Sequence, residues 1–117
     1  MKYRELKRCN NLKVSEIALG CEGFIGKSPD EFKAMLDRAM ELGINFIDMY
    51  TSNPEFRDYM GAAIAGKRDR IVLQGHICSI WANGQYLRTR DLNKVRAGLE
   101  DQLQRLGTDY LDIGMSH

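Results

Sequence analysis

What the sequence lacks narrows its class first. No apolar run approaches the length of a bilayer span, and the polar opening MKYRELKR does not resemble a secretory leader, so no membrane role is expected. No charge of either sign is in surplus: 17 Lys and Arg stand against 16 Asp and Glu, a net charge of +1, which argues against nucleic acid as a partner. Cysteine is scarce and odd in number (Cys9, Cys21, Cys78) and forms no C-x-x-C pair. That suits reduced thiols in a cytoplasm better than a disulfide framework or a zinc site. Gly20, Gly23 and Gly26 do not follow the G-x-G-x-x-G spacing of a phosphate loop. No low-complexity stretch or linker interrupts the chain. What remains is one domain, residues 1–117, with 44% hydrophobic and 28% charged residues, enough for a real core.

Residues 1–15 read as a hairpin turning at KRCNN, where Asn10-Asn11 tolerate positive φ. A first core strand is predicted over 17–20, followed by a glycine-bearing loop. Ser28 and Glu31 make a capping box with Pro29 at the first helical position, and Phe32, Met35, Leu36 and Ala39 form one apolar stripe that Gly43 ends. A second strand is predicted over 44–50. Asn53-Pro54 opens a second helix with buried face Phe56, Tyr59, Met60, Ala63 and Ile64, stopped by Gly66. The basic turn KRDR leads to a third strand over 71–75, ending in His76. Residues 78–90 show no helical or strand periodicity beyond a turn at Asn83-Gly84, and a loop of that length is usually functional or disordered. A last helix over 91–106 has the apolar seam Leu92, Val95, Leu99, Leu103 and Leu106, and a last strand covers 110–115. Strands alternating with amphipathic helices mean a parallel α/β sheet with right-handed crossovers, preceded by the hairpin.

Asp48 lies inside the apolar strand 44–50, where an unpaired carboxylate is costly to bury. Phe46, Asp48 and Tyr50 share one face of that strand and Asn45, Ile47 and Met49 the other. Asp48 is either a strand-end cap or ion-pair partner, or a site residue at the carboxyl end of a parallel strand, where α/β enzymes collect their chemistry. His76 and His117 end strands three and four as Asp48 nears the end of strand two, so the three could converge on one rim.

Four stretches carry a family resemblance: KYREL…LKVSEIALG, GINFIDMY, RDRIVLQGH and RLGTDYLDIGMSH. Together, in that order, they resemble the aldo-keto reductases. The resemblance implies parallel βα repeats of a (β/α)₈ TIM barrel whose floor is closed by the N-terminal hairpin, and carbonyl reduction with NADPH. It also implies a catalytic tetrad. An Asp and a Tyr follow strand two, a Lys ends strand three and a His ends strand four; the Tyr donates the proton, with its pKa lowered by the Lys–Asp pair, and the His orients the carbonyl. Asp48 and His117 match. The family Tyr position, five residues after the Asp, holds Asn53, and the Lys position, eight after Arg68, holds His76. Gly20, Cys21 and Asp48 are the positions implied to face the cofactor.

Two substitutes for the missing groups are on offer. Tyr50 shares the face of Asp48, and His76 belongs to the side-chain class that exchanges protons near neutral pH. Each also has an ordinary explanation: Tyr50 as packing, Asn53 as a helix cap. Asp48, His76 and His117 further make a two-His, one-carboxylate set of the kind that binds non-haem iron or zinc, but nothing independent supports a metal and none is assigned. Cys21 and Cys78 have no identified base and are expected to be unreactive. The chain reaches only strand four, a half-barrel, while the family holds the NADPH phosphates and adenine after strands seven and eight. The expectations are therefore a truncated reductase, doubtfully active alone, or a non-catalytic half-barrel that self-associates or binds a partner. A homodimer would cover the edge at strand four and an open face carrying Phe46, Val72 and Ile113.

Overall fold

The computed structural model describes residues 1–116. Strands β1 (Tyr3–Leu6) and β2 (Leu12–Ser15) pair antiparallel, and Asn10 and Asn11 both take positive φ in the turn, as expected of that dipeptide. Then follow β3 (Leu19–Gly20), α1 (Pro29–Glu41), β4 (Phe46–Met49), α2 (Pro54–Ile64), β5 (Val72–His76), the strands β6 (Ser79–Ala82) and β7 (Gln85–Arg88), α3 (Leu92–Leu106) and β8 (Ile113–Met115). The main sheet is parallel in the order β3-β4-β5-β8, so β3 and β8 are its edges among the described residues. None of the described helices is long and apolar enough to cross a membrane.

Local chemistry explains the helix ends. The capping box at Ser28 and Glu31 is present with Pro29 at its start, and Asn53 Oδ1 accepts from the Phe56 N–H to cap α2. Gly43 takes φ +88° after α1, a conformation that costs any other residue strain. Alternation does the rest. Ile47 and Met49 on β4 and Leu73 on β5 are fully buried, meeting Leu36 of α1, Met60 of α2 and Leu106 of α3 in one cluster. Phe32 stands edge-on to Phe24 at 5.1 Å and to Phe56 at 5.4 Å, contacts worth about 0.5–1.5 kcal/mol each beyond area burial. Phe46 and Asp48, on the other face, remain only partly covered.

Five expectations need correction. The first core strand is two residues rather than 17–20. Ile17 is exposed, and its carbonyl accepts from Ser15 Oγ instead of joining a ladder. The segment 78–90 is no loop: β6 and β7 form an antiparallel hairpin whose turn residues Asn83 and Gly84 have φ +53° and +73°, the left-handed pair that suits a two-residue turn. Leu92, the first residue of the expected seam, is 82% exposed at the tip of α3, whereas Leu106 of that seam is buried as expected and Gln102, outside it, is buried too. The last strand begins at Ile113 rather than 110, because Arg68 holds what precedes it. The Arg68 guanidinium lies 3.8 Å over the Tyr110 ring, donates to the Tyr110 carbonyl and pairs with Asp112 at 2.9 Å. Val72, finally, is buried in a strand flanked on both sides and contributes nothing to an open face, whereas Phe46 and Ile113 are only partly covered.

Candidate active site

Parallel register brings the carboxyl ends of the strands together. Gly20 stands opposite Asp48, Asp48 opposite Gln74, Gln74 opposite Ile113 and His76 opposite Met115. Side chains two apart on a strand share a face, so Gln74 and His76 both turn to the side that carries Asp48. His76 Nε2 lies 2.9 Å from Asp48 Oδ1, and Gln74 Nε2 donates to the same oxygen at 2.9 Å. A carboxylate oxygen has lone pairs for both. The His76 side chain is 12% exposed and that of Asp48 31%, so the pair sits at a rim rather than in the core.

The other expected residues divide. His117 lies outside the described residues. Asp48 and His76 are thus the two members of the expected metal set that the structure brings together, and no group of three His, Cys, Asp or Glu among the described residues could hold an ion. The Asn53 amide is committed to the α2 cap, and its backbone N–H donates to Thr51 Oγ1. Tyr50 lies just beyond the last residue of β4 and sets its ring edge-on to Phe56 at 6.4 Å. Burial raises the pKa of its phenol, with the Glu22 carboxylate and the Cys21 thiol adding to the shift, which makes it a weaker acid. Cys21 is fully buried, and burial, with the charge of Asp48 adding, pushes its thiol up to about 12. It is no nucleophile. Gln74 was missed by sequence reasoning; its signal was its place two residues before His76, on the same strand face.

NADPH is the cofactor that the family resemblance implies, with Gly20, Cys21 and Asp48 as the positions facing it. A Cβ on Gly20 would meet nothing within 4 Å, so there is space beside Asp48. Yet Gly20, Cys21 and Asp48 offer one carboxylate, one neutral thiol and no cation. They do not fit the phosphate-bearing part of a dinucleotide.

The sequence pattern of the Aldo/keto reductase family matches residues 16–117. The chain belongs to the aldo-keto reductase family. Similar proteins include the oxidoreductase YqkF of Bacillus subtilis, 31% identical over 112 residues, which span 92% of this chain and 36% of YqkF. Among solved structures, aldo-keto reductase AKR11C1 from Bacillus halodurans matches with a TM-score of 0.86 at 28% identity, over 100% of this chain and 40% of that one. An aldo-keto reductase from Klebsiella pneumoniae, solved with NADPH, matches at 0.73 and 24% identity, again over 100% of this chain and 40% of that one; it shares the fold. The chain therefore spans less than half the length of these relatives. After the hairpin, its four parallel strands and their helices are βα repeats of a TIM barrel, with the Asp48–His76 pair at the carboxyl-terminal face, where such barrels carry their chemistry.

Proposed function

We propose that this chain contributes the acid–base corner of an NADPH-dependent, carbonyl-reducing oxidoreductase, with that corner altered. His76 takes the place of the family Lys and Asn53 that of the family Tyr. The observation that carries the first assignment is the 2.9 Å contact between His76 and Asp48, the partner that the Lys would have had. Asn53 brings no hydroxyl, and its amide is used to cap α2. Protonation of a carbonyl oxygen then lacks its usual donor. Because no cation accompanies Gly20, Cys21 and Asp48, the grip on the cofactor phosphates comes from barrel segments other than these.

The test is aldehyde-dependent oxidation of NADPH. General acid catalysis is worth roughly 10²–10⁴-fold, so in a complete barrel that carries this half, Asn53→Tyr combined with His76→Lys should raise the rate by a comparable factor. The first change also removes a cap worth about 1 kcal/mol, so the comparison is made below the melting range of the variant. No gain in a folded double variant sinks the assignment. Titrating the chain with NADPH while following nicotinamide fluorescence addresses the cofactor: saturation at low micromolar concentration would contradict the account of where the phosphates are held.

A second reading rests on the edges of the sheet. Among the described residues β3 and β8 each have a neighbour on one side only, and on β8 Met115 is exposed and Ile113 only partly covered, as is Phe46 on β4. A twofold pairing of half-barrels would cover both edges. Sedimentation at micromolar concentration then shows a homodimer, whereas a monomer with a cooperative melt removes this reading. The free thiols of Cys9, Cys21 and Cys78 favour a reducing compartment such as the cytoplasm.

A further inference from the structure

We infer that Gln74 is a positioning residue, holding Asp48 so that the neutral His76 ring keeps its proton on Nε2. The inference deepens the reading of Asp48 and His76 as the acid–base corner, but the geometry stands apart from any activity. Asp48 Oδ1 is the acceptor of two contacts, from Gln74 Nε2 and from His76 Nε2, both at 2.9 Å. An ionised carboxylate only accepts, so Nε2 must bring the hydrogen and Nδ1 is the ring's acceptor when His76 is neutral. Asp48 has a rotatable side chain that is about a third exposed, and a second donor on the same oxygen narrows the ways it can turn. Gln74 is that donor. It lies directly opposite Asp48 in the ladder, on a strand flanked on both sides, and its amide N–H ties Oδ1 to the β5 side of the rim where His76 ends the strand. Second contacts of this kind commonly fix the tautomer of a functional histidine.

Two histidines occur in the chain, so the ring signals of His76 can be assigned by ¹⁵N NMR with His117→Gln as reference. With the ring neutral, the unsubstituted protein should show a pyrrole-like Nε2 and a pyridine-like Nδ1. Gln74→Met keeps the length and removes the donor. It should move both nitrogens away from that pattern toward a more mixed tautomer ratio, while backbone amide signals away from β4 and β5 stay in place. An unchanged tautomer in that folded variant overturns the proposal. If Gln74→Met does not fold, the unsubstituted protein still decides. The Gln74 side-chain N–H should exchange with solvent at least about tenfold more slowly than those of the exposed Gln85 and Gln104. Equal exchange overturns the proposal as well. A failed rate gain for Asn53→Tyr with His76→Lys would sink the reductase reading and leave the tautomer result standing, so the two failures are distinguishable.

Discussion

Gly61→Ala tests the packing on which the whole outer layer depends. Gly61 is in the middle of α2, where Ala is normally favoured by about 1 kcal/mol. Here α3 lies against it. A Cβ on Gly61 would overlap the backbone carbonyl oxygen of Arg105 and sit 3.0 Å from the Leu106 Cα. Those are main-chain atoms inside a helix and cannot turn aside as a side chain would. The helices must separate, which also loosens Leu106, now 2% exposed in the central cluster. Overpacking costs about 1–3 kcal/mol, and a backbone-to-backbone clash belongs at or above the upper end. Setting the propensity gain against it leaves a net loss of about 2 kcal/mol. Gly98→Ala on α3 is the control. Its Cβ would come 3.0 Å from Ile80 Cγ2, a methyl that can move, so clash and propensity nearly cancel. Urea denaturation should show Gly61→Ala with a lower midpoint at unchanged slope, and heating should show a fall in Tm on the order of 10 °C. A Gly61→Ala protein as stable as Gly98→Ala would mean that α2 and α3 do not cross at this point.

Asp101→Ala should destabilise by about 2 kcal/mol, below the usual 3–5 for a broken buried pair because Asp101 is partly exposed, and by more than Arg57→Met. The reason is that Arg57, 2% exposed and bonded to Asp101 at 3.0 Å, is left charged without its counter-ion; equal losses in urea would refute it. Iodoacetamide should label Cys9 in the native protein and spare the buried Cys21 and Cys78, as peptide mapping would reveal. The Cys21 thiol is raised in the folded state from its ordinary value near 9 to about 12, so its contribution is complete below pH 9 and lost as pH rises toward 12. Denaturation midpoints should fall over that window, and less so in Cys21→Ala. Gly84→Ala, at φ +73°, should loosen the β6–β7 turn by about 1 kcal/mol, read as faster hydrogen exchange at the Thr89 N–H that closes the hairpin on Cys78.

How far the fold could be foreseen depended on whether a feature was encoded locally. Ser28, Pro29 and Glu31 state a helix start in four residues, and the cap forms as expected. Asn53 works the same way. Ile47 and Met49 alternate with Phe46 and Asp48, and their burial follows the period of two. The β6–β7 hairpin was hidden because Trp81, Tyr86 and Leu87 are all partly exposed, so no apolar alternation announces its strands; Asn83-Gly84 was the usable signal. Leu92 fitted the helical stripe by spacing alone. Spacing cannot tell that its end of α3 overhangs the neighbouring layer. The late start of β8 depends on Arg68, more than forty residues earlier in the chain, reaching the Tyr110 carbonyl, a tertiary contact that no local pattern records.

The site was legible in its anchor and not in its wiring. Asp48 stood out because a carboxylate inside an apolar strand needs a partner, and the structure supplies one in His76. Gln74 carries no comparable signal, since a neutral amide in a strand is ordinary until the ladder shows it opposite Asp48. Counting residues puts forward Asn53 and His76 as the two altered positions of the proposed site, but counting cannot say which way a side chain turns. Asn53 turns to its helix, and Tyr50, which shares the strand face of Asp48 on paper, lies past the end of β4 with its ring on Phe56. A proton donor for a carbonyl must reach the rim with a pKa suited to the task, and Tyr50 has moved in the opposite direction through burial. Among the described rim residues His76 is the proposed proton carrier, and which of its nitrogens bears the proton depends on the two hydrogen bonds meeting at Asp48 Oδ1.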